Sequence, residues 1–215
     1  FTTVDPSRKH LVLRHDIDFD MEAAAGLARM EQTHGYSATY FVLLTGEFYN
    51  PISERGRKAL ASIISCGHDI GLHFDTAIHG EDADALSRAA EQECQILETL
   101  SGRAVNVISM HRPPAKLIGE NMKFAGRLNT YAPRFTKEMG YCSDSRGAWH
   151  FGSPLESDAY QKGRALQLLT HPIWWMQEAP LSPQRTVAGF LRNRQHFLGQ
   201  EAERNCTAYT HISAD

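Results

Sequence analysis

The sequence predicts one α/β domain built on a mainly parallel sheet. Three observations carry that expectation. Short apolar runs alternate with longer amphipathic ones, no Gly/Ser-rich linker or shift of composition divides the 215 residues, and His or Asp side chains recur just after the apolar runs. Helical crossovers between short buried strands leave two architectures open, a barrel and a doubly wound open sheet. No repeat with a period of about 20–50 residues is present, which argues against a solenoid.

Taken in order, His10–Leu13 reads as a first strand that runs into Arg14-His15-Asp16-Ile17-Asp18. A helix is expected over 20–34, capped by Asp20, carrying Met21, Ala24, Leu27 and Met30 at helical spacing and stopped by Gly35. Thr39–Leu44 is the clearest strand, rich in β-branched and aromatic residues. Ser53 caps a helix over 53–66 that ends at Gly67. Asp69–His73 is a strand, 82–100 a long helix, and Val105–Ser109 a further strand. Residues 116–140 are expected to hold one or two helical pieces interrupted by Pro133. Tyr141–Ser143 and Ala165–Thr170 read as strands, 183–201 as a helix with Pro183 in its first turn, and Thr207–Thr210 as a strand that closes the set.

Composition narrows the function classes. Hydrophobic residues at 42% and charged residues at 22% suit a packed globular chain and not a disordered one. A net charge of -3 offers no basic footprint for nucleic acid. Cys66, Cys94, Cys142 and Cys206 lie far apart with no C-x-x-C pair, which argues against a disulfide framework or a zinc knuckle and for reduced thiols in a cytoplasmic protein. No apolar run reaches the roughly 20 residues of a membrane span. The chain opens on Phe1 without an initiator Met or a signal-type segment, as a trimmed chain would. P-loop, dinucleotide-binding and nucleophile-elbow motifs are absent.

In parallel α/β folds the carboxyl ends of the strands form the working rim, and five of the expected strand ends deliver His or Asp to it. Asp16 and Asp18 alternate onto one face of a strand, about 6.6 Å apart. Two carboxylates that close repel unless a cation or a shared proton relieves them. A divalent ion on one would leave the other free to act as a base. His73, at a strand end, is the better ligand of its segment, whereas His68 starts the strand and is read as structural. His111 can supply a further imidazole and Arg112 a guanidinium beside a carboxylate. His171 is placed for a general acid. Trp149, Trp174 and Trp175 could wall the site for a sugar ring. His10, His34, His150, His196 and His211 lack a chemical neighbourhood and are read as surface or satisfied core residues.

These segments resemble the polysaccharide deacetylase (NodB-homology) group, carbohydrate esterase family 4. Its motif order is followed by Arg14-His15-Asp16-Ile17-Asp18, Gly67-His68-Asp69-Ile70-Gly71-Leu72-His73, His111-Arg112-Pro113, Asp144 to Trp149, and Leu168-Leu169-Thr170-His171-Pro172, across 11–172. The first motif is similar to an R-H-D-[IV]-D branch that includes proteins of bacterial surface-polysaccharide (O-antigen) clusters. The resemblance implies a distorted (β/α) barrel of about seven strands in a single domain over 1–215. It also implies a Zn²⁺-type ion and hydrolysis of an N-acetyl or N-formyl group on a carbohydrate or small acylated amine. It places Asp16 as base, Asp18 and His73 as metal ligands, Arg112 as the arginine that orients the base, and His171 as acid. Asp144, Trp149 and Trp174 fall on the substrate side. Two departures stand out: D-I-D replaces D-D, and Ala77 occupies the position of the family's second metal histidine. His111 is the preferred replacement ligand and His79 the alternative.

Overall fold

The computed structural model describes residues 1–210 apart from 81, 151, 178 and 180. Residues Phe1–Met176 and Gln177–Asp215 form two compact units. The first contains, in chain order, β1 (Leu11–Ile17), α1 (Met21–Thr33), β2 (Thr39–Leu43), α2 (Glu54–Ser65), β3 (Asp69–Asp75), α3 (Ala83–Ser101), β4 (Val107–His111), β5 (Leu128–Asn129), α4 (Pro133–Thr136), β6 (Gly140–Ser143), α5 (Asp158–Gln161), β7 (Leu166–Thr170) and α6 (Pro172–Trp175). The second contains α7 (Pro183–Asn205), whose first turn is capped by the Ser182 hydroxyl.

All seven strands pair in parallel in the order β5-β4-β3-β2-β1-β7-β6, curled into a half-barrel with β5 and β6 as its edges. The architecture is the expected distorted barrel in an α/β fold. Helix starts follow the local chemistry. Asp20, Ser53 and Asp82 each accept backbone N–H groups of the first turn, which removes orphan donors from α1, α2 and α3. Their apolar stripes close one core against the outer face of the sheet, where Ile17, Tyr40, Val42, Ile70 and Leu72 meet Ala24, Ala28, Leu60, Ile63 and Leu97. Each fully buried Leu or Ile contributes about 1.5–3 kcal/mol.

The structure corrects two sequence expectations. The 116–140 segment is mostly irregular, and Pro133 opens the short α4 instead of interrupting a helix, since its fixed φ suits a first turn. Residues 207–210 form no strand; the seventh strand is β5, only two residues long, paired with β4.

Alternation along the strands sorts side chains between the two faces. His15 points outward, where its Nδ1 pairs with Thr170 Oγ1 at 2.6 Å and its Nε2 with Glu31 Oε1 at 2.8 Å. The Tyr40 hydroxyl donates to Glu31 Oε2 at 2.7 Å, so one buried network ties β1, β2, β7 and α1. His68 is buried there too, accepting from the Ala38 N–H and donating to the Ala28 carbonyl, which makes it structural. The inner face carries Asp16, Phe41 and Gly71 in register on neighbouring strands, with His73 and Ser109 one step nearer the rim. A Cβ on Gly71 would overlap the Phe41 ring and stand 3.0 Å from the Val107 carbonyl oxygen. Gly71→Ala is therefore expected to cost about 1–3 kcal/mol, as overpacked cores do, measured as a fall of several degrees in Tm; an unchanged Tm would show that this contact is slack.

Candidate functional site

Three strand ends bring one carboxylate and two imidazoles together. Asp18 follows β1, His73 lies near the end of β3, and His111 ends β4. Asp18 Oδ1 is 3.0 Å from His73 Nε2 and 3.5 Å from His111 Nδ1, and His111 Nδ1 is 3.1 Å from His73 Nε2. All three ligand atoms lie within 4.8 Å of one another. His73 Nδ1 faces the Ser109 carbonyl at 3.0 Å, and a carbonyl only accepts, so this nitrogen carries a proton and Nε2 is aimed at Asp18. Three lone-pair atoms this close require a proton or a cation among them. Burial alone would lower the His73 pKa, but the charge of Asp16 and the bond to Asp18 outweigh it and raise it. Burial would raise the Asp18 carboxyl, yet hydrogen bonds from His111 and His73 hold it well below the usual carboxylate range. An Asp/His/His donor set with one histidine fixed from behind suits a divalent cation such as Zn²⁺.

The alternative ligand His79 lies elsewhere: its Nε2 pairs with Glu93 Oε1 at 2.8 Å and its ring stacks on Phe74 at 5.1 Å. Ala77 sits in a single 3-10 turn whose backbone is capped by Asp75.

Asp16 lies beneath this trio, almost fully buried, with Oδ2 3.8 Å from His73 Nδ1. Arg14 Nε donates to Oδ1 at 3.0 Å and Nη2 to Oδ2 at 2.8 Å, while the Ser109 hydroxyl donates to Oδ2 at 2.9 Å. Burial would raise this carboxyl, but the Arg14 charge, followed by that of His73, brings it below its ordinary value. Arg112, the expected partner of Asp16, pairs instead with Asp75. The reason is geometric: Arg112 lies one residue beyond β4, with φ at 48° and its side chain 65% exposed.

His171 follows β7, and its ring Nδ1 meets Asp144 Oδ1 at 2.6 Å. The His171 backbone N–H donates to the same carboxylate at 3.1 Å, and Trp175 Nε1 donates to its Oδ2 at 2.6 Å. Asp144 is buried, and these bonds tie it to His171 and Trp175. Burial would lower the His171 pKa; the Asp144 hydrogen bond and the charges of Asp18 and Asp144 raise it. Its Nε2 stands 3.8 Å from Asp18 Oδ2, which brings the acid candidate to the same centre.

Aromatic side chains flank the cluster. The rings of Trp149 and Trp175 are 6.0 Å apart, and Trp175 is 48% exposed. Trp174 is half-buried, 6.3 Å from Phe19, which stacks on Phe48 at 4.7 Å. The residues that sequence reasoning missed are Arg14, Ser109, Tyr131 and the anchored role of Trp175. Arg14 was legible by alternation, two positions before Asp16; Trp175 carried the weaker signal of a position one helical turn after His171. His211 lies outside the described residues, and His196 pairs with Gln200 within α7.

No protein-family model and no curated protein matches the chain. Solved structures do. The chitin deacetylase from the fungal pathogen Colletotrichum lindemuthianum matches with a TM-score of 0.53 at 12% identity, over 87% of this chain and 83% of that one. A CE4 family pseudoenzyme from Bacillus anthracis matches at 0.47 and 12% identity, over 90% and 63%. The Bdellovibrio bacteriovorus peptidoglycan deacetylase matches at 0.49 and 20% identity, over 90% and 51%. The chain spans 63% of the length of the Bacillus anthracis pseudoenzyme. The chain thus shares its fold with the chitin deacetylase.

Zinc titration of the purified chain is expected to show one bound equivalent. Asp18→Ala, His73→Ala or His111→Ala should each weaken binding more than about tenfold, since a three-residue site loses a direct ligand, while His79→Ala leaves it within about twofold. Equal loss at His79 would move the site.

Proposed function

We propose that residues 1–215 act as one catalytic domain that removes an N-acyl group, acetyl or formyl, from a sugar. A divalent cation, Zn²⁺ by the donor set, is held by Asp18, His73 and His111. The observation that carries this reading is the convergence of those three ligand atoms with a buried carboxylate and a carboxylate-anchored imidazole on one rim. When bound, such an ion polarises an acyl carbonyl and acidifies water. The protein's own groups divide the proton work. Asp16, kept ionised by Arg14, accepts the proton of the attacking water. His171, oriented through Nδ1 by Asp144, presents Nε2 to the departing amine nitrogen and protonates it. Its raised pKa favours the protonated form that this step needs.

Trp149 and Trp175 offer faces on which a pyranose can stack. The likeness of the Arg14 to Asp18 segment to the surface-polysaccharide branch makes a bacterial O-antigen precursor the favoured substrate. The four unpaired thiols support a cytoplasmic setting. Zinc-loaded protein is expected to release acetate from N-acetylglucosamine oligomers in preference to ureides. Asp16→Asn should cut kcat by about 10²–10⁴ with zinc still bound, as followed by acetate release; full turnover in Asp16→Asn would overturn the reading.

A further inference from the structure

We propose that Arg14, and not Arg112, is the positioning residue for the Asp16 carboxylate, so that the base and the guanidinium that aims it come from a single strand. This rests on the reading of Asp16 as the base. Arg14 and Asp16 share the inner face of β1, two residues apart, where the side chain of one folds along the strand onto the other. The planar fork of Arg14 meets both carboxylate oxygens, Nε on Oδ1 at 3.0 Å and Nη2 on Oδ2 at 2.8 Å.

The fork is itself fixed. The two hydrogens of Nη2 are shared among Asp16 Oδ2, Ser109 Oγ at 2.6 Å and Tyr131 Oη at 3.0 Å, and the guanidinium carbon lies 4.5 Å from the Tyr131 ring centre and 5.7 Å from that of Phe41. Ser109 completes the circuit through its bond to Asp16 Oδ2. Arg14 has no exposed surface, so water does not compete for these bonds.

Arg112 has a different task. Its partner Asp75 ends β3, and Arg112 itself follows β4, so the pair clamps the strand ends that bear His73 and His111. Two arginines thus act on two things: Arg14 on the base, Arg112 on the ligand-bearing ends.

The test uses the full chain with Arg14→Lys and Arg112→Gln, read by zinc titration and by acetate release from the N-acetylglucosamine tetramer at saturating zinc. Arg14→Lys is expected to lower kcat at least about 30-fold, because a lysine cannot reproduce the fork, with KM and the zinc Kd within about threefold. Arg112→Gln should raise the zinc Kd about tenfold and lower kcat less than about fivefold. The reverse pattern, or wild-type kcat in Arg14→Lys, overturns the proposal. Thermal melts decide it without turnover: combined with Asp16→Asn, Arg14→Lys should be non-additive by about 3 °C or more in Tm, and Arg112→Gln additive. Should the wild-type chain release no acetate, the catalytic reading falls alone and these melts still judge the contact. If Arg14→Lys does not fold, Arg14→Gln combined with Asp16→Asn, which removes both charges together, should restore folding; failure to do so counts against Arg14.

Discussion

An ionised carboxylate inside a curled sheet persists only while a cation touches it, and the Arg14–Asp16 pair meets that condition with no exposed surface on Arg14 and almost none on Asp16. Taking either charge out of water costs several kcal/mol, and stranding one of them costs about 3–5 kcal/mol. The arrangement therefore accepts no half measures. Ser109 from β4 and Tyr131 from the segment after β5 bond the same guanidinium, so segments that do not neighbour β1 in the sheet are drawn to one point.

Strand direction does the rest. Because the strands run in parallel, their carboxyl ends share a rim, and a reactive residue placed at any of those ends arrives there without a dedicated scaffold. The in-register pairs His73 with Ser109 and Asp75 with His111 lift β3 and β4 to the same height, which brings His111 beside His73 and Asp18. The outward network of His15, Glu31, Tyr40 and Thr170 fixes β1 against β7 from behind and so sets the spacing between Asp16 and His171.

Much of this was legible in the residues. The caps Asp20 and Ser53 and the stop at Gly35 located α1 and α2 because their chemistry is local. Strand ends pointed to His73 and His111, and the resemblance pointed to Asp18 as the carboxylate beside them. What was not legible depends on distant partners. The 116–140 stretch is held by long-range bonds such as the Gly119 N–H to the Tyr131 carbonyl, which leave no periodic trace. A two-residue β5 has no pattern to read. The choice between Arg14 and Arg112 turns on which guanidinium reaches Asp16, a matter of side-chain geometry that motif order does not encode.

The Asp144 carboxylate binds an imidazole through one oxygen and an indole through the other. On the proposed reading, a proton donor and a sugar-facing ring fastened to the same peg cannot be tuned separately. Drift at position 144 would then shift affinity and proton delivery together, and through the ring contact of Trp175 it would reach Trp149 as well.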